Sequence, residues 1–202
     1  MNKEHHLIYI PGLHDQHPFN KFFTDLFPHI WTAKGFPTEK FEPHWEEGTS
    51  LDPKLNKLLA MIDQITQDGH NVSLIGQSAG GSLALNAFTQ RKKTVLGAIN
   101  LCGRLREGSH VKPTMSYASR HSVAFRQSVR LFEQVNEPKL TIPDRKRIMT
   151  IKAWIDKTVP STTTPLEGAH NLTIPFVGHN LTGGLMCSFR ANTMLNFLKS
   201  LE

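Results

Sequence analysis

The stretch Gly76-Gln77-Ser78-Ala79-Gly80 decides the fold of this 202-residue chain. It follows residues 71–75, a short run rich in apolar and β-branched side chains that predicts a buried strand. Apolar residues at helical spacing come next and predict a helix over about 79–90. A serine with a glycine two residues away on each side, between a strand and a helix, indicates a turn so sharp that only glycine fits beside it. We therefore expect the Ser78 hydroxyl to stand clear at the end of the sheet, with the N-terminus of the following helix directed toward it.

The remaining apolar patterns predict strands that alternate with helices. Further strands are expected at residues 6–10, 40–45, 94–101, 148–155 and 172–177. Further helices are expected over 19–31 with a bend or break near Pro28, from an N-cap at Asp52 to Gly69, and around 194–201. Such alternation is typical of the α/β class, in which a mostly parallel sheet, here of about six strands, carries helices on both faces. At this length we expect residues 1–202 to form a single domain.

One segment, residues 104–147, interrupts this alternation and holds the basic excess of the chain. It contains ten Lys and Arg against four Asp and Glu, an excess of six that equals the net charge of +6 for the whole chain. Residues 116–136 within it follow an amphipathic pattern that predicts one helix. An insertion of this size usually covers the active face of such a sheet, so we expect a small helical cap. Its charge could attract an anionic substrate, an acidic partner or a membrane surface, or belong to a solvated helix face.

The composition bounds the class of protein. Hydrophobic residues make up 39% of the chain and charged residues 20%, as in ordinary globular proteins. The two cysteines lie far apart and in no metal-binding spacing, which favours a reduced, cytoplasmic setting over a disulfide scaffold. No apolar run approaches the length of a membrane span or of a signal peptide. Nucleic-acid-binding and nucleotide-binding motifs are missing as well, so we expect neither a nucleic-acid partner nor a nucleotide cofactor.

The position of Ser78 suggests nucleophilic catalysis. A serine hydroxyl becomes a useful nucleophile when a base takes its proton and a carboxylate orients that base. In a parallel sheet such groups lie just beyond the C-terminal ends of strands. Asp156 directly follows the strand at 148–155, and His179 follows the strand at 172–177. Glu167 or Asp144 could replace Asp156 as the carboxylate, and His170 could replace His179 as the base. Asp144 and His170, however, precede their strands.

Backbone N–H groups at strand ends can stabilise the negative charge that develops when a serine attacks a carbonyl. Ala79, directly after the serine, and Leu13, after Gly12 at the end of the first strand, are the candidate oxyanion-hole residues. Side chains near the same loops are candidates for substrate binding, although the last of them could equally pack in the core: His14, Gln77 and Trp45.

A metal site is a weaker reading of the same region. His14 and His17, with Asp15 between them, form a His-x-x-His pair that lacks a third ligand at a known spacing. A pocket wall or plain surface explains these residues better. We therefore expect no metal and no organic cofactor.

Four of these motifs, taken together, resemble the α/β-hydrolase fold superfamily. They occur in the expected order: Pro11-Gly12-Leu13, Gly76–Gly80, Asp156 with Val159-Pro160, and Gly178-His179. The resemblance implies a sheet of eight strands, of which the first two antiparallel strands have no counterpart here, so the chain looks like a minimal member. The first-strand loop lacks the His-Gly-Gly-Gly form of some lipases and esterases. The superfamily consists mostly of esterases, lipases, thioesterases, lactonases and peptidases.

The sequence therefore predicts a serine hydrolase of esterase or lipase type that acts on a small ester or lactone through an acyl-enzyme. A lactonase, thioesterase or peptidase would use the same groups and differ only in the pocket. An alternative of another class is a non-catalytic binding protein that keeps the fold and uses its basic cap to contact a partner. The presence of all three candidate catalytic residues argues against that alternative.

Overall fold

The structure, a computed structural model, describes residues 3–108 and 110–202 and contains one six-stranded sheet. The strands are β1 (His5–Ile10), β2 (Thr38–Lys40), β3 (Asn71–Gln77), β4 (Val95–Leu101), β5 (Ile148–Ile155) and β6 (His170–Val177). All neighbouring strands pair in parallel, in the order β2-β1-β3-β4-β5-β6. The predicted α/β class with about six strands is confirmed. Because every pair is parallel, the C-terminal ends of all six strands lie at one edge of the sheet.

Helices cover both faces of this sheet. In the described residues they are α1 (Pro18–Thr32), α2 (Leu51–Gln67), α3 (Ala79–Gln90), α4 (Met115–Ala118), α5 (Val123–Leu131), α6 (Ile142–Lys146), α7 (His179–Cys187) and α8 (Ala191–Lys199). Buried residues of α2, α3 and α5 share one apolar cluster, and those of α1, α7 and α8 share the other. None of the helices in the described part of the chain has the length and apolar character needed to cross a bilayer.

The two apolar clusters lie on opposite faces of the sheet. Side chains alternate along a strand, so Ile8 and Ile10 of β1 enter the cluster with α2 and α3, whereas Leu7 and Tyr9 enter the cluster with α1 and α8. All four side chains are fully buried. The sheet is therefore covered on both faces, and its C-terminal edge is where loops can form a site.

The segment 104–147 between β4 and β5, which we call the cap segment, differs from the prediction. The expected single helix over 116–136 is wrong: the segment forms α4 and α5, separated at residues 119–122, and continues into a π-helical turn at Phe132–Asn136. The Ser122 hydroxyl accepts the Phe125 N–H at 3.1 Å and so begins α5 as its N-cap. Serine side chains compete with helical hydrogen bonds in this way, and an apolar pattern does not reveal the break.

Other boundaries moved for identifiable reasons. Strand β2 ends at Lys40 rather than 45, because Pro43 has no N–H to donate to the ladder. Helix α2 begins at Leu51 with Ser50 as N-cap, not at Asp52, since the Leu51 N–H donates to the Gln127 side chain at 2.8 Å across the fold. Helix α1 runs through Pro28 without interruption. The sequence reading did not anticipate α7, whose glycines make it a poor helix by propensity.

Candidate active site

Strained backbone concentrates at the C-terminal edge of the sheet. Four non-glycine residues of the described chain have positive φ: His14 (60°), His44 (51°), Ser78 (54°) and Cys102 (54°). They follow the ends of β1, β2, β3 and β4 respectively. Each such conformation costs about 1–3 kcal/mol and persists where the surrounding structure imposes it, which is most common at functional sites.

Ser78 occupies the sharp turn between β3 and α3. Its backbone has φ 54° and ψ −121°, and its N–H donates to the Leu101 carbonyl at 2.8 Å. The flanking glycines are required by space: a Cβ at Gly76 would lie 2.2 Å from the Gly80 carbonyl oxygen, and one at Gly80 would lie 2.1 Å from the Ile10 carbonyl oxygen. The backbones of β1, β3 and α3 therefore pack against one another directly, and this packing presents the Ser78 side chain at the sheet edge.

His179 and Asp156 meet Ser78 at this edge. The His179 Nε2 atom lies 2.9 Å from the Ser78 hydroxyl oxygen, and its Nδ1 atom lies 2.7 Å from Asp156 Oδ2. Asp156 follows β5 and His179 begins α7 after β6, so two strand ends supply the pair. The His179 and Asp156 side chains are 7% and 3% exposed, respectively, which shields their hydrogen bond from water. The three side chains thus form one continuous hydrogen-bonded chain.

The surroundings of Asp156 decide which nitrogen of His179 carries the proton. Burial by itself would raise the pKa of the Asp156 carboxyl, but the hydrogen bond and charge of His179 and the N–H groups of Val159 and Thr158 outweigh it and lower the pKa. The carboxylate is therefore ionised at neutral pH and accepts a hydrogen bond from the Nδ1–H group of His179. In the neutral imidazole the Nε2 atom is then the acceptor for the Ser78 hydroxyl.

The rival residues lie elsewhere. Asp144 belongs to α6 before β5, where it pairs with Lys92 and Arg147 at 2.8 and 3.0 Å. His170 opens β6 at the opposite edge of the sheet and packs its ring against Phe197. Glu167 precedes β6 and is exposed.

The two candidate oxyanion N–H groups come from adjacent strand ends. Ala79 is the first residue of α3, so its N–H has no acceptor within the helix. Leu13 follows Gly12, where a Cβ would lie only 2.7 Å from the Ser78 Cβ and 3.2 Å from its hydroxyl oxygen. The first-strand loop therefore passes directly beside the Ser78 side chain. Both backbone segments flank the hydroxyl, as an oxyanion site needs.

A pocket of about 320 Å³, which we call the Ser78 pocket, opens in front of this serine. Its wall comes from the first-strand loop, the cap segment and the loop after β5, and includes Leu13, His14, Tyr117, Phe125 and Val159. The cap segment thus forms one side of the pocket. The volume of the Ser78 pocket lies within the range of small-molecule sites.

The three predicted substrate-binding side chains have different positions. His14 lines the Ser78 pocket and pairs with Glu46 at 2.7 Å. The Gln77 side chain does not line this pocket. Its carbonyl oxygen accepts a hydrogen bond from the Tyr9 hydroxyl at 2.5 Å, and its amide nitrogen lies beside Gly183 of α7. Trp45 is fully buried, and its indole N–H donates to the Pro11 carbonyl at 3.0 Å while its ring contacts Phe125 edge to face. Only His14 can touch a ligand in this pocket, and Trp45 supports the pocket wall from behind.

The geometry also separates the possible metal ligands. The Asp15 carboxylate accepts the His44 N–H at 2.8 Å and so holds a loop, while His17 is the exposed residue before α1. Among the residues described, three side chains do bring one ligand atom each within 4.8 Å of one another: Glu4, His6 and His70. They lie at the N-terminal ends of β1 and β3, the edge opposite Ser78, and so take no part in chemistry at that serine.

Sequence reasoning missed the basic lining of the Ser78 pocket. Arg104 and Arg120 of the cap segment and Lys157 after Asp156 all line it. The charge bias of residues 104–147 was a signal for the cap segment as a whole, but nothing local in the sequence marks Arg120 among its ten basic residues. Arg120 lines the pocket because α4, which directly precedes it, lies beside Ser78 at the strand ends.

Comparison with known proteins supports the fold. No family model and no curated protein matches the sequence. Solved structures do match over almost the whole chain. A structure of the metagenome-derived lipolytic enzymes LipS and LipT has a TM-score of 0.69 at 12% identity, covering 99% of this chain and 95% of that one. Est1E from Butyrivibrio proteoclasticus has a TM-score of 0.66 at 14% identity, covering 100% and 89%.

A third match has the same character. The monoacylglycerol lipase of Paleococcus ferrophilus has a TM-score of 0.60 at 12% identity, covering 98% of this chain and 95% of that one. These neighbours share the α/β-hydrolase fold, and the chain described here therefore has that fold as well. The resemblance found in the sequence motifs is confirmed at the level of the fold. At such identities the similarity shows the fold alone.

Proposed function

We propose that this protein is a serine hydrolase that cleaves carboxylic esters through an acyl-enzyme, in the manner of esterases and lipases. The observation that carries the proposal is the hydrogen-bonded chain from Ser78 through His179 to Asp156, buried at the C-terminal edge of the sheet. The fold shared with lipolytic enzymes supports it, because an active site at this edge is the rule for such sheets.

In the proposed mechanism, Ser78 attacks the ester carbonyl while His179 Nε2 takes its proton. Asp156 keeps the imidazole in the tautomer that can do so and stabilises the imidazolium that forms. The N–H groups of Ala79 and Leu13 stabilise the oxyanion, and losing one such donor typically slows turnover by about 100- to 1,000-fold. His179 then protonates the leaving alcohol. Water then attacks the acyl-enzyme while His179 takes its proton, and His179 returns that proton to Ser78 as the acid is released.

The decisive experiment replaces the nucleophile. We expect Ser78→Ala to abolish hydrolysis of short p-nitrophenyl esters while thermal unfolding remains cooperative. Ser200→Ala, an exposed position at the end of α8, is the matched control and should keep full activity. Undiminished turnover by Ser78→Ala would rule the mechanism out.

A covalent probe separates an enzyme from a binding protein with the same fold. A fluorophosphonate reacts with serines activated by a neighbouring base, so we expect labelling of the wild type at Ser78, located by peptide mass spectrometry. The His179→Ala variant should label far more slowly. Folded wild-type protein that resists labelling would favour the non-catalytic alternative. Activity on a lactone, a thioester and a peptide alongside the esters would rank the related hydrolase classes.

The location we propose is the cytoplasm. Both cysteines, Cys102 and Cys187, are free and buried, and burial raises the pKa of Cys102 to about 12. Such thiols are unreactive. Free cysteines fit a reducing compartment.

A further inference from the structure

The lining of the Ser78 pocket has an unbalanced charge. Arg104, Arg120 and Lys157 contribute to it, and no carboxylate does among the residues described. Two acids close to the pocket each lie beside a histidine: Asp156 is hydrogen-bonded to His179, and Glu46 pairs with His14. A neutral ester would form no ion pair with the exposed Arg120 and Lys157, whose desolvation costs free energy when a ligand covers them.

A second concave surface continues this positive charge along the cap segment. This groove, of about 470 Å³, runs over the outer face of α4 and α5 and is lined by Arg120, Arg126 and Arg130. Glu107 pairs with the last two at 3.5 and 2.9 Å, so one carboxylate faces two guanidinium groups and a net positive charge remains. Arg120 lines both the groove and the Ser78 pocket. It therefore stands where the two join.

Arg120 is held in position yet keeps free donors. Its guanidinium lies over the Tyr117 ring, 4.2 Å from the ring centroid. Its Nε donates to His121 Nε2 at 3.0 Å, and one terminal nitrogen donates to the Tyr117 carbonyl at 3.1 Å. In the described chain no carboxylate lies within 4 Å of it. A pre-oriented guanidinium with unused N–H groups is a receptor for an anionic oxygen group.

Arg104 supplies a permanent charge behind this receptor. It is fully buried, and its guanidinium donates to three backbone carbonyls of the cap segment, those of Arg106, Pro113 and Glu107. These bonds fix the loop that leads to α4. These hydrogen-bond partners are neutral, and the nearby carboxylates of Glu107 and Glu133 offset part of the Arg104 charge.

We propose that the substrate ester carries an anionic oxygen group, a carboxylate or a phosphate, which Arg120 binds together with Lys157. The inference rests on the hydrolase function proposed above and narrows its substrate class. It also gives a role to part of the basic cap charge. Other cap cations, Arg145 and Arg147 among them, pair with acids near the start of β5, away from the Ser78 pocket.

The test compares anionic esters with neutral esters of matched size. In one pair, mono-4-nitrophenyl glutarate carries the carboxylate on the acyl side, and its methyl ester is the neutral partner. In the other, 4-acetoxybenzoate carries it on the leaving group, with methyl 4-acetoxybenzoate as the neutral partner. A phosphate arm uses 4-nitrophenyl 4-(phosphonooxy)butanoate. We expect wild-type kcat/KM to favour an anionic member by roughly two- to fivefold, the value of a solvent-exposed ion pair.

Variants assign this preference to Arg120. In Arg120→Gln the ratio of anionic to neutral kcat/KM should fall toward one, and it should reach about one in the double variant with Lys157→Gln. Lys146→Gln removes a charge from the same segment at α6, outside the pocket, and should leave the ratio unchanged. The carboxylate and phosphate arms identify which anion is preferred. Equal kcat/KM for every anionic and neutral ester would overturn the proposal.

Binding without turnover separates this inference from the hydrolase function. Calorimetric titration of the Ser78→Ala variant should detect mono-4-nitrophenyl glutarate more tightly than its methyl ester, with the difference shrinking as salt is raised. That result would support the anion site even if the wild type hydrolysed neither compound. If hydrolysis occurs but the Ser78→Ala variant binds both compounds equally, the anion site is wrong and the hydrolase stands.

Discussion

Replacing Asp156 by asparagine tests the proposed proton relay most sharply, because the change preserves shape and removes only a charge. Asp156 Oδ1 accepts the N–H groups of Thr158 and Val159 at 2.8 and 2.9 Å. Those donors hold the asparagine carbonyl oxygen in the same place, so its NH₂ group must face His179 Nδ1, where Oδ2 now lies at 2.7 Å. An amide N–H can only donate.

The imidazole then adopts the wrong tautomer. With an N–H donated to it, Nδ1 must be unprotonated, and the proton moves to Nε2, the atom 2.9 Å from the Ser78 hydroxyl. A protonated Nε2 cannot take the proton of Ser78. The same substitution in a serine protease triad lowers kcat by about 10⁴-fold, equal to roughly 5.5 kcal/mol of barrier. We expect a fall of about 10³- to 10⁴-fold in kcat here, with little change in KM.

The assay is steady-state hydrolysis of a short p-nitrophenyl ester, accompanied by thermal unfolding of each variant. Asp68→Asn, an exposed carboxyl at the end of α2, is the matched control and should keep wild-type kcat. The tautomer itself is visible by ¹⁵N NMR of labelled His179, whose proton should move from Nδ1 to Nε2. A folded Asp156→Asn variant with kcat within tenfold of wild type would refute the relay.

Two further predictions concern stability. Gly183 and Gly184 are neighbours in α7, and their replacements by alanine should have opposite effects in urea unfolding. A Cβ at 184 meets nothing within 4 Å and should stabilise by about 0.5–1 kcal/mol. A Cβ at 183 would lie 2.6 Å from Gln77 Nε2, and it should destabilise because moving this side chain disturbs its hydrogen bond with the Tyr9 hydroxyl; two shifts of the same sign would contradict this. Hydrogen bonds from Lys40 and Lys21 lower the pKa of Glu42 to about 2. The two ion pairs of Glu42 therefore stabilise the fold at pH values above the unfolded pKa of about 4.3, and this contribution is lost as the pH falls toward 2. Glu42→Gln should therefore cost about 1 kcal/mol at pH 7 after screening and progressively less below pH 4, whereas an equal cost at every pH would show that the charge is not the cause.

Local sequence patterns predicted most of the strands and helices, because the burial of apolar residues at a regular spacing determines these elements. Each strand and its partner helix bury a stripe of apolar residues whose period is written in the sequence, so all six strands were found in order. The strand–serine–helix turn was predictable from the local pattern of glycines around Ser78, although the contact that requires Gly80 is with Ile10 of β1, distant in the chain. The prediction failed where side-chain hydrogen bonds set a boundary: the Leu51 N–H at the start of α2 donates to the distant Gln127, and the Ser122 N-cap divides the expected cap helix.

The sequence by itself determined the sheet class, the order of its elements and which residues stand at strand ends, because these follow from periodicity and from parallel connection. Only the tertiary structure decided which of those strand-end residues touch. The proximity of His179 to Ser78, the burial of Trp45 and the entry of Arg120 into the Ser78 pocket depend on how the sheet twists and how α4 and α7 pack on it. Such contacts join residues far apart in the chain, and their energies come from side-chain packing in three dimensions, which no local pattern records.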